Sequence, residues 1–219
     1  KALYNIDDEE IRDYFPLPVV LQGLFELCSK LFDIKIIERP KTNAWHGDVK
    51  FYEIFDSDSP TPIAGFYLDP YTREEDKIKI THNPGWMLTL RNRSNIAGTT
   101  PLAALIFNFH PPIYGKPSLL SFQEVSTLFH KFGHSLRHLL TEVNYSDVAG
   151  VSNVEWDTAD VTGHVLTHWL YEPAVIQGIS SHYTTKEPLP TEIAQNLDMM
   201  RKHMAGYKLC HELYLSKLD

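Results

Sequence analysis

The stretch Ser121-Phe122-Gln123-Glu124-Val125-Ser126-Thr127-Leu128-Phe129-His130-Lys131-Phe132-Gly133-His134 decides how the rest of the chain is read. Ser121 and Glu124 form a capping box, in which the serine oxygen accepts a first-turn backbone N–H and the glutamate reaches back to the cap. A helix is therefore predicted from about Phe122 to Thr141. Residues four apart on a helix share a face one turn apart, so His130 and His134 can reach one metal ion. A hydrolytic zinc site needs three protein ligands and an open position for water, which calls for a third ligand from elsewhere.

Downstream, Asp157 is expected to cap a helix running to about Tyr171, with Asp160 in its first turn. Asp160 is the natural third ligand, and His164 and His168 follow it at successive four-residue steps on the same face. Two antiparallel helices would then collect His130, His134, Asp160 and His164, the last as an alternative ligand. His138 extends the first stripe beside Arg137 and reads as solvent-facing or as a neighbour of the ligands; His46, His82, His182, His203 and His211 read as structural or surface residues. Pro173, Pro188 and Pro190 punctuate the chain before a last helix predicted from about Thr191 to Leu218, which makes the C-terminal half almost entirely helical.

Upstream, Asp7-Asp8-Glu9-Glu10 loads acid onto a helix start, where the dipole favours it. Pro16 and Pro18 restart the pattern, and Val20, Leu21, Leu24, Leu27 and Leu31 mark a core helix over about Leu17 to Phe32. From Ile34 the period changes to two. Lys50–Phe55 and Ile63–Leu68, joined by the turn-rich Asp56-Ser57-Asp58-Ser59-Pro60, predict a hairpin. Asp69 to Asp76 reads as a polar loop, and Trp86–Leu90 and Ala103–Phe109 as short strands, the second stopped by Pro111-Pro112. The fold class is mainly α with a small β-sheet (α+β). One domain is expected over 1–219, with a helix-plus-sheet part (1–116) and a helical metal-site part (117–219).

The chain of 219 residues is 43% hydrophobic and 22% charged, ordinary globular usage that argues against disorder or collagen-like repeats. Twenty Lys+Arg against 28 Asp+Glu give a net charge of −8, which argues against nucleic acid and anionic membrane as partners. No apolar run approaches the ~18 residues of a membrane span. Cys28 and Cys210 make neither a disulfide framework nor a thiolate metal site, so a reducing compartment is expected. The absence of an initiator Met at Lys1 is read as a leader removed or left out of the sequence; plastid, mitochondrion and cytosol stay open, with plastid or mitochondrion favoured.

The run Pro112–Pro117 and Ser118–His134, then Asn153-Val154-Glu155-Trp156-Asp157 and His168-Trp169, resembles the zinc oligopeptidases of the thimet oligopeptidase and oligopeptidase A family. The plant organellar and cytosolic oligopeptidase A branch looks closest. The similarity extends through Tyr14–Pro18, Gly23–Phe25 and Phe66–Tyr71 and onward to the last helix. The resemblance implies a zincin-like catalytic-domain fragment, mostly helical, with a small sheet beside a deep channel for short peptides. It further implies a metal held by two histidines of a His-Glu-x-x-His helix and a Glu of the following helix, the helix Glu being the general base.

The chain departs from that pattern where the chemistry is done. Lys131 occupies the general-base position, Asp160 stands where the ligand Glu is expected, Thr162-Gly163-His164 replaces Pro-Ser-Gln, and Thr167 replaces a further Glu. An ammonium has no lone pair with which to take a proton from water. The expectation is that Lys131 neutralises Asp160 directly in a salt-bridged site where zinc is weakened or absent. A chain ending at Asp219 would also lack the family's Gly- and Tyr-rich substrate-gripping segment and its large N-terminal helical wall. The leading functional expectation is a catalytically degenerate oligopeptidase-like protein, serving as a structural or regulatory subunit beside other proteins. An active zinc metalloendopeptidase and a non-catalytic zinc- or peptide-binding module stand as alternatives.

Overall fold

The structure is a computed structural model that describes residues 7–73, 75, 77 and 85–218. His82, the N-terminal Lys1 and the terminal Asp219 lie outside the described residues. Asp7 caps α1 (Asp8–Arg12) through its carboxylate, as the acidic run predicts. Pro16 then opens α2 (Leu17–Phe32), whose left-handed C-cap, Asp33, turns the chain into the sheet.

Five strands follow in part: β1 (Ile34–Glu38), β2 (Lys50–Asp56), β3 (Pro62–Tyr71), β4 (Gly85–Arg91) and β5 (Leu102–Phe109). They lie in the order β1-β2-β3-β5-β4. The expected hairpin is β2–β3, with Tyr52 opposite Phe66 and Ile54 opposite Ala64. β3 and β5 run parallel, Phe66 beside Ala103, and form the buried centre, while β4 pairs antiparallel on the outer edge.

β3 runs on through Asp69-Pro70-Tyr71, where a polar loop was expected. Asp69 is buried, and its carboxylate accepts from Arg73 at 2.8 and 2.9 Å, Lys77 at 3.0 Å and Trp45 Nε1 at 2.9 Å. A charge so surrounded is tolerated inside, and its sequence signature is that of a loop. Burial works to raise its pKa, but the bonds from Arg73, Trp45 and Lys77 outweigh it and hold the carboxyl below the usual range.

Alternate residues of each strand face one side. Tyr52, Phe66 and Leu68 meet α2 and α3 (Phe122–Leu139) on one face, where Phe25, Phe66 and Phe132 form a ring cluster with centroids 5.5 to 6.2 Å apart. Phe51, Tyr67 and Trp45 pack together on the other face. Cys28 lies in the core, where burial pushes its thiol up to about 12, while Cys210 is exposed.

Beyond α3 come α4 (Val161–His168), α5 (Pro173–Gly178), α6 (Thr191–Lys202) and α7 (Ala205–Leu218). Two expectations are corrected here. The helix predicted from Asp157 begins only after Asp160, because residues Trp156–Thr158 make a separate 3-10 turn, and it gives way to another such turn at Trp169–Tyr171. The single last helix is two helices, broken where His203 is extended and Met204 takes a left-handed φ of 56°. Among the described residues no helix is long and apolar enough to cross a membrane.

Candidate metal centre on the α3–α4 helix pair

α3 is the helix the opening motif predicts, and both halves of the capping box form: Glu124 N donates to Ser121 Oγ at 3.2 Å and Ser121 N to Glu124 at 2.7 Å. Val125, Leu128, Phe129, Phe132, Leu136 and Leu139 are buried. That apolar stripe fixes the helix's rotation, so the part-exposed His130 and His134 are left for α4.

Two glycines let α4 come close enough to meet them. A Cβ on Gly133 would stand 2.6 Å from the Thr162 carbonyl oxygen and 2.9 Å from Leu166 Cβ. A Cβ on Gly163 would stand 2.9 Å from both His130 Cε1 and the His130 carbonyl oxygen. The helices thus cross almost backbone to backbone. Arg137 reinforces the approach by donating to the Thr158 carbonyl at 2.5 Å.

Asp160 is the N-cap residue of α4, yet its side chain caps nothing in its own helix. Its carboxylate turns to α3 instead. His130 Nε2 lies 3.0 Å from Oδ1 and 3.1 Å from Oδ2, and His134 Nδ1 lies 3.3 Å from Oδ1. His164, one turn along α4, places Nε2 3.7 Å from Oδ2, and its ring meets that of His130 edge-on at 4.9 Å between centroids. One donor atom each from His130, Asp160 and His164 lies within 4.8 Å of the others. His134 stands outside that tightest group and joins it through Asp160.

Lys131 forms no ion pair with Asp160 among the described residues, so the direct salt bridge expected from the sequence is corrected. The imidazoles take that place, and Lys131 acts only through its field. For Asp160, burial works to raise the pKa, but the bond from His134 and the charges of His130, Lys131 and His164 prevail and hold it below the usual range. For His130, burial is the largest influence and lowers the pKa; Asp160 opposes this, and Lys131 and His164 add to it. A neutral imidazole beside an ionised carboxylate is the protonation state that metal ligation requires.

The donor set fits a zinc-like ion. Tetrahedral zinc, with ligand bonds of ~2.0–2.2 Å, separates its ligand atoms by roughly 3.3 Å. The contacts to Asp160, between 3.0 and 3.7 Å, straddle that separation.

The other histidines fall elsewhere. His168 Nδ1 accepts from Arg201 of α6 at 3.2 Å, and that guanidinium also lies over the Tyr171 ring at 4.3 Å. His182 accepts from Thr184 and Thr185 backbone N–H groups at 3.2 Å, and His46 from that of Asp48 at 3.2 Å. His138, expected to face solvent or to neighbour the ligands, is fully buried and bonds through Nε2 to the Arg91 and Leu102 carbonyls at 3.1 and 3.3 Å. The glycine pair that sets the helix approach was not singled out from sequence; its small residues facing each other across two helices were the available signal.

Residues 1–219 match the sequence profile described as Peptidase family M3. The organellar oligopeptidase A of Arabidopsis thaliana, described as chloroplastic/mitochondrial, is 38% identical over 228 residues, covering 100% of this chain and 28% of that protein. Oligopeptidase A of Haemophilus influenzae is 37% identical over 99% of this chain and 31% of its own length. A probable cytosolic oligopeptidase A of Arabidopsis thaliana is 36% identical over 100% of this chain and 32% of its own length. The chain thus spans about a third or less of the curated relatives it matches.

Proposed function

Because this chain belongs to peptidase family M3, we propose that it is the metal-site portion of an oligopeptidase-A-like protein that no longer cuts peptides and serves as a structural or regulatory subunit among other proteins. The observation that carries the proposal is Lys131. It sits between two candidate ligands on α3, at the position of the family's proton acceptor, and brings an ammonium there instead of a carboxylate.

His130 and Asp160, with His134 or His164, are the residues that would hold zinc. Bound there, zinc would supply Lewis acidity and a water of lowered pKa. The remaining task, taking a proton and delivering it to the departing amine, falls to side chains of the protein. Asp160 is engaged by histidines on both oxygens, and a lysine ammonium has no lone pair with which to accept a proton. A positioned general base contributes ~10²–10⁴-fold, so its loss leaves an oligopeptidase ineffective.

The test is turnover of an internally quenched peptide by the full protein loaded with zinc. Turnover no higher than that of His130→Ala is expected; turnover that His130→Ala or a chelator abolishes would overturn the proposal. Lys131→Glu is expected to raise zinc-dependent turnover by ~10²–10⁴-fold only when combined with His164→Gln, which frees a position for water beside the metal. No gain despite a full complement of zinc would place the silencing elsewhere in the site.

The proposal extends to a plastid or mitochondrial location, supported by the 38% identity to the organellar relative. Import of the tagged full-length precursor tests this, and a purely cytosolic signal would count against it.

A further inference from the structure

We propose that His164 is a metal ligand and that it closes the site: with His130, His134 and Asp160 it makes a four-donor set of three imidazoles and one carboxylate, leaving no position for water. The inference rests on the reading of this site as a silenced family M3 centre and assigns that centre a different task, pinning α4 to α3.

Asp160 and His164 are one turn apart at the start of α4, linked by the helix's first backbone bond, His164 N to Asp160 O at 3.2 Å. Residues at this spacing share a face, and here the face looks onto α3. His164 Nε2 lies 3.7 Å from Asp160 Oδ2, and its ring stands edge-on to His130 at an interplanar angle of 72°. One donor atom each of His130, Asp160 and His164 lies within 4.8 Å of the others, so the residue that departs from the family's Gln belongs to the group that could share one ion. His134 lies outside that group and meets it at Asp160 Oδ1, 3.3 Å from its Nδ1, which makes it the fourth donor of the proposed set.

The chemistry follows from the donor count. Structural zinc is held by four protein donors in a closed tetrahedron, whereas catalytic zinc keeps three and an open position. Three imidazoles and a carboxylate match zinc's preference for nitrogen and oxygen donors. Closure also accounts for Lys131, since a site with no bound water has no proton for a base to take. The missing base and the added ligand are then two marks of one change of use. Gly163 points the same way, because a Cβ there would press on the His130 ring and carbonyl where α4 lies against α3.

Cobalt(II) substitution of the full protein tests this, with peptide turnover measured on the same preparation. One equivalent of cobalt with an intense tetrahedral visible spectrum that azide leaves unchanged is expected. His164→Gln should weaken cobalt binding by roughly 100-fold, at or beyond the ~10–100-fold cost of losing an outer partner, and should render the spectrum sensitive to azide. His164 is 68% exposed, so this variant retains the fold, and its circular dichroism checks that.

Failure to bind cobalt, an azide-sensitive spectrum in the unaltered protein, or unaltered binding and spectrum in His164→Gln would each overturn the closed site. His134→Gln that binds cobalt like the unaltered protein would overturn the four-donor count. Metal-dependent peptide turnover would instead overturn the silenced-enzyme reading, so the two failures are told apart.

Discussion

His138 is buried with its Nδ1 lacking a hydrogen-bond partner, under a left-handed Gly150 whose Cβ, if present, would stand 2.6 Å from that nitrogen. Nε2 faces two carbonyl oxygens and must carry the proton, so the ring is neutral and Nδ1 bare. Burial drives the His138 pKa below its ordinary value of 6.5, only partly opposed by the Leu102 and Arg91 carbonyls, and His130 is shifted in the same direction. The unfolded chain therefore binds these protons first. Stability is fully present above pH 6.5 and is lost as pH falls through the depressed folded-state values. In the presence of a chelator, thermal unfolding is expected to move to lower temperature as the pH falls from 7.5 to 5.5. His138→Gln, which keeps a donor but cannot titrate, should flatten that dependence; an unchanged slope would remove His138 as its source.

At the scale of elements, the crossing of α3 and α4 determines whether a site exists. Gly163→Ala drives a methyl into the His130 ring and carbonyl, and Gly133→Ala drives one into the Thr162 carbonyl. Overpacking of this kind costs ~1–3 kcal/mol. Both variants are expected to lose about that much by urea denaturation and to bind zinc at least ~10-fold more weakly. Gly206→Ala in α7 meets nothing within 4 Å and serves as a control. There the better helix former should leave stability unchanged or raise it, by up to ~1 kcal/mol. Equal losses at all three positions would mean that backbone conformation, not close approach, governs the pair. The same crossing explains why α4 starts late: Asp160 gives its carboxylate to α3 histidines rather than to its own helix end.

For the whole molecule, one continuous core runs from Ile11 through the sheet and α3 to Leu197 in α6, and stops there. No described residue of α7 is buried, although Tyr207, Leu209, Leu213, Tyr214, Leu215 and Leu218 are all large and apolar. Large apolar residues interspersed with Lys208, Glu212 and Lys217 along a helix with no buried residue leave apolar surface in solvent, and exposed patches of this kind mark interfaces. Residues 1–219 are therefore expected to associate at micromolar concentration, with a mass by light scattering above the monomer's 25.2 kDa. Leu209→Glu with Leu213→Glu should restore the monomer mass while changing thermal stability by no more than ~0.5 kcal/mol. A stable monomer before substitution would count against α7 as an interface and weaken the subunit reading.

The α+β class, the α2 and α3 helices and the β2–β3 hairpin were legible in the sequence, because each is written in local terms: a capping box, a 3.6-residue apolar period, alternation around a polar turn. His130 and His134 were legible for the same reason, as two residues on one helix face. The buried strand end at Asp69, the depth of His138 and the break at Met204 were not, since each depends on partners distant in the chain or carries no local stop signal. Asp160 and His164 could be nominated by spacing. Their nearness to His130 was decided by the tertiary structure, because a distance between helices is set by what lies at their crossing. By itself the sequence determined which groups could bind a metal and that a lysine stands between the two histidines of α3; only the packing of Gly133 against Thr162 and Gly163 against His130 brought those groups close together.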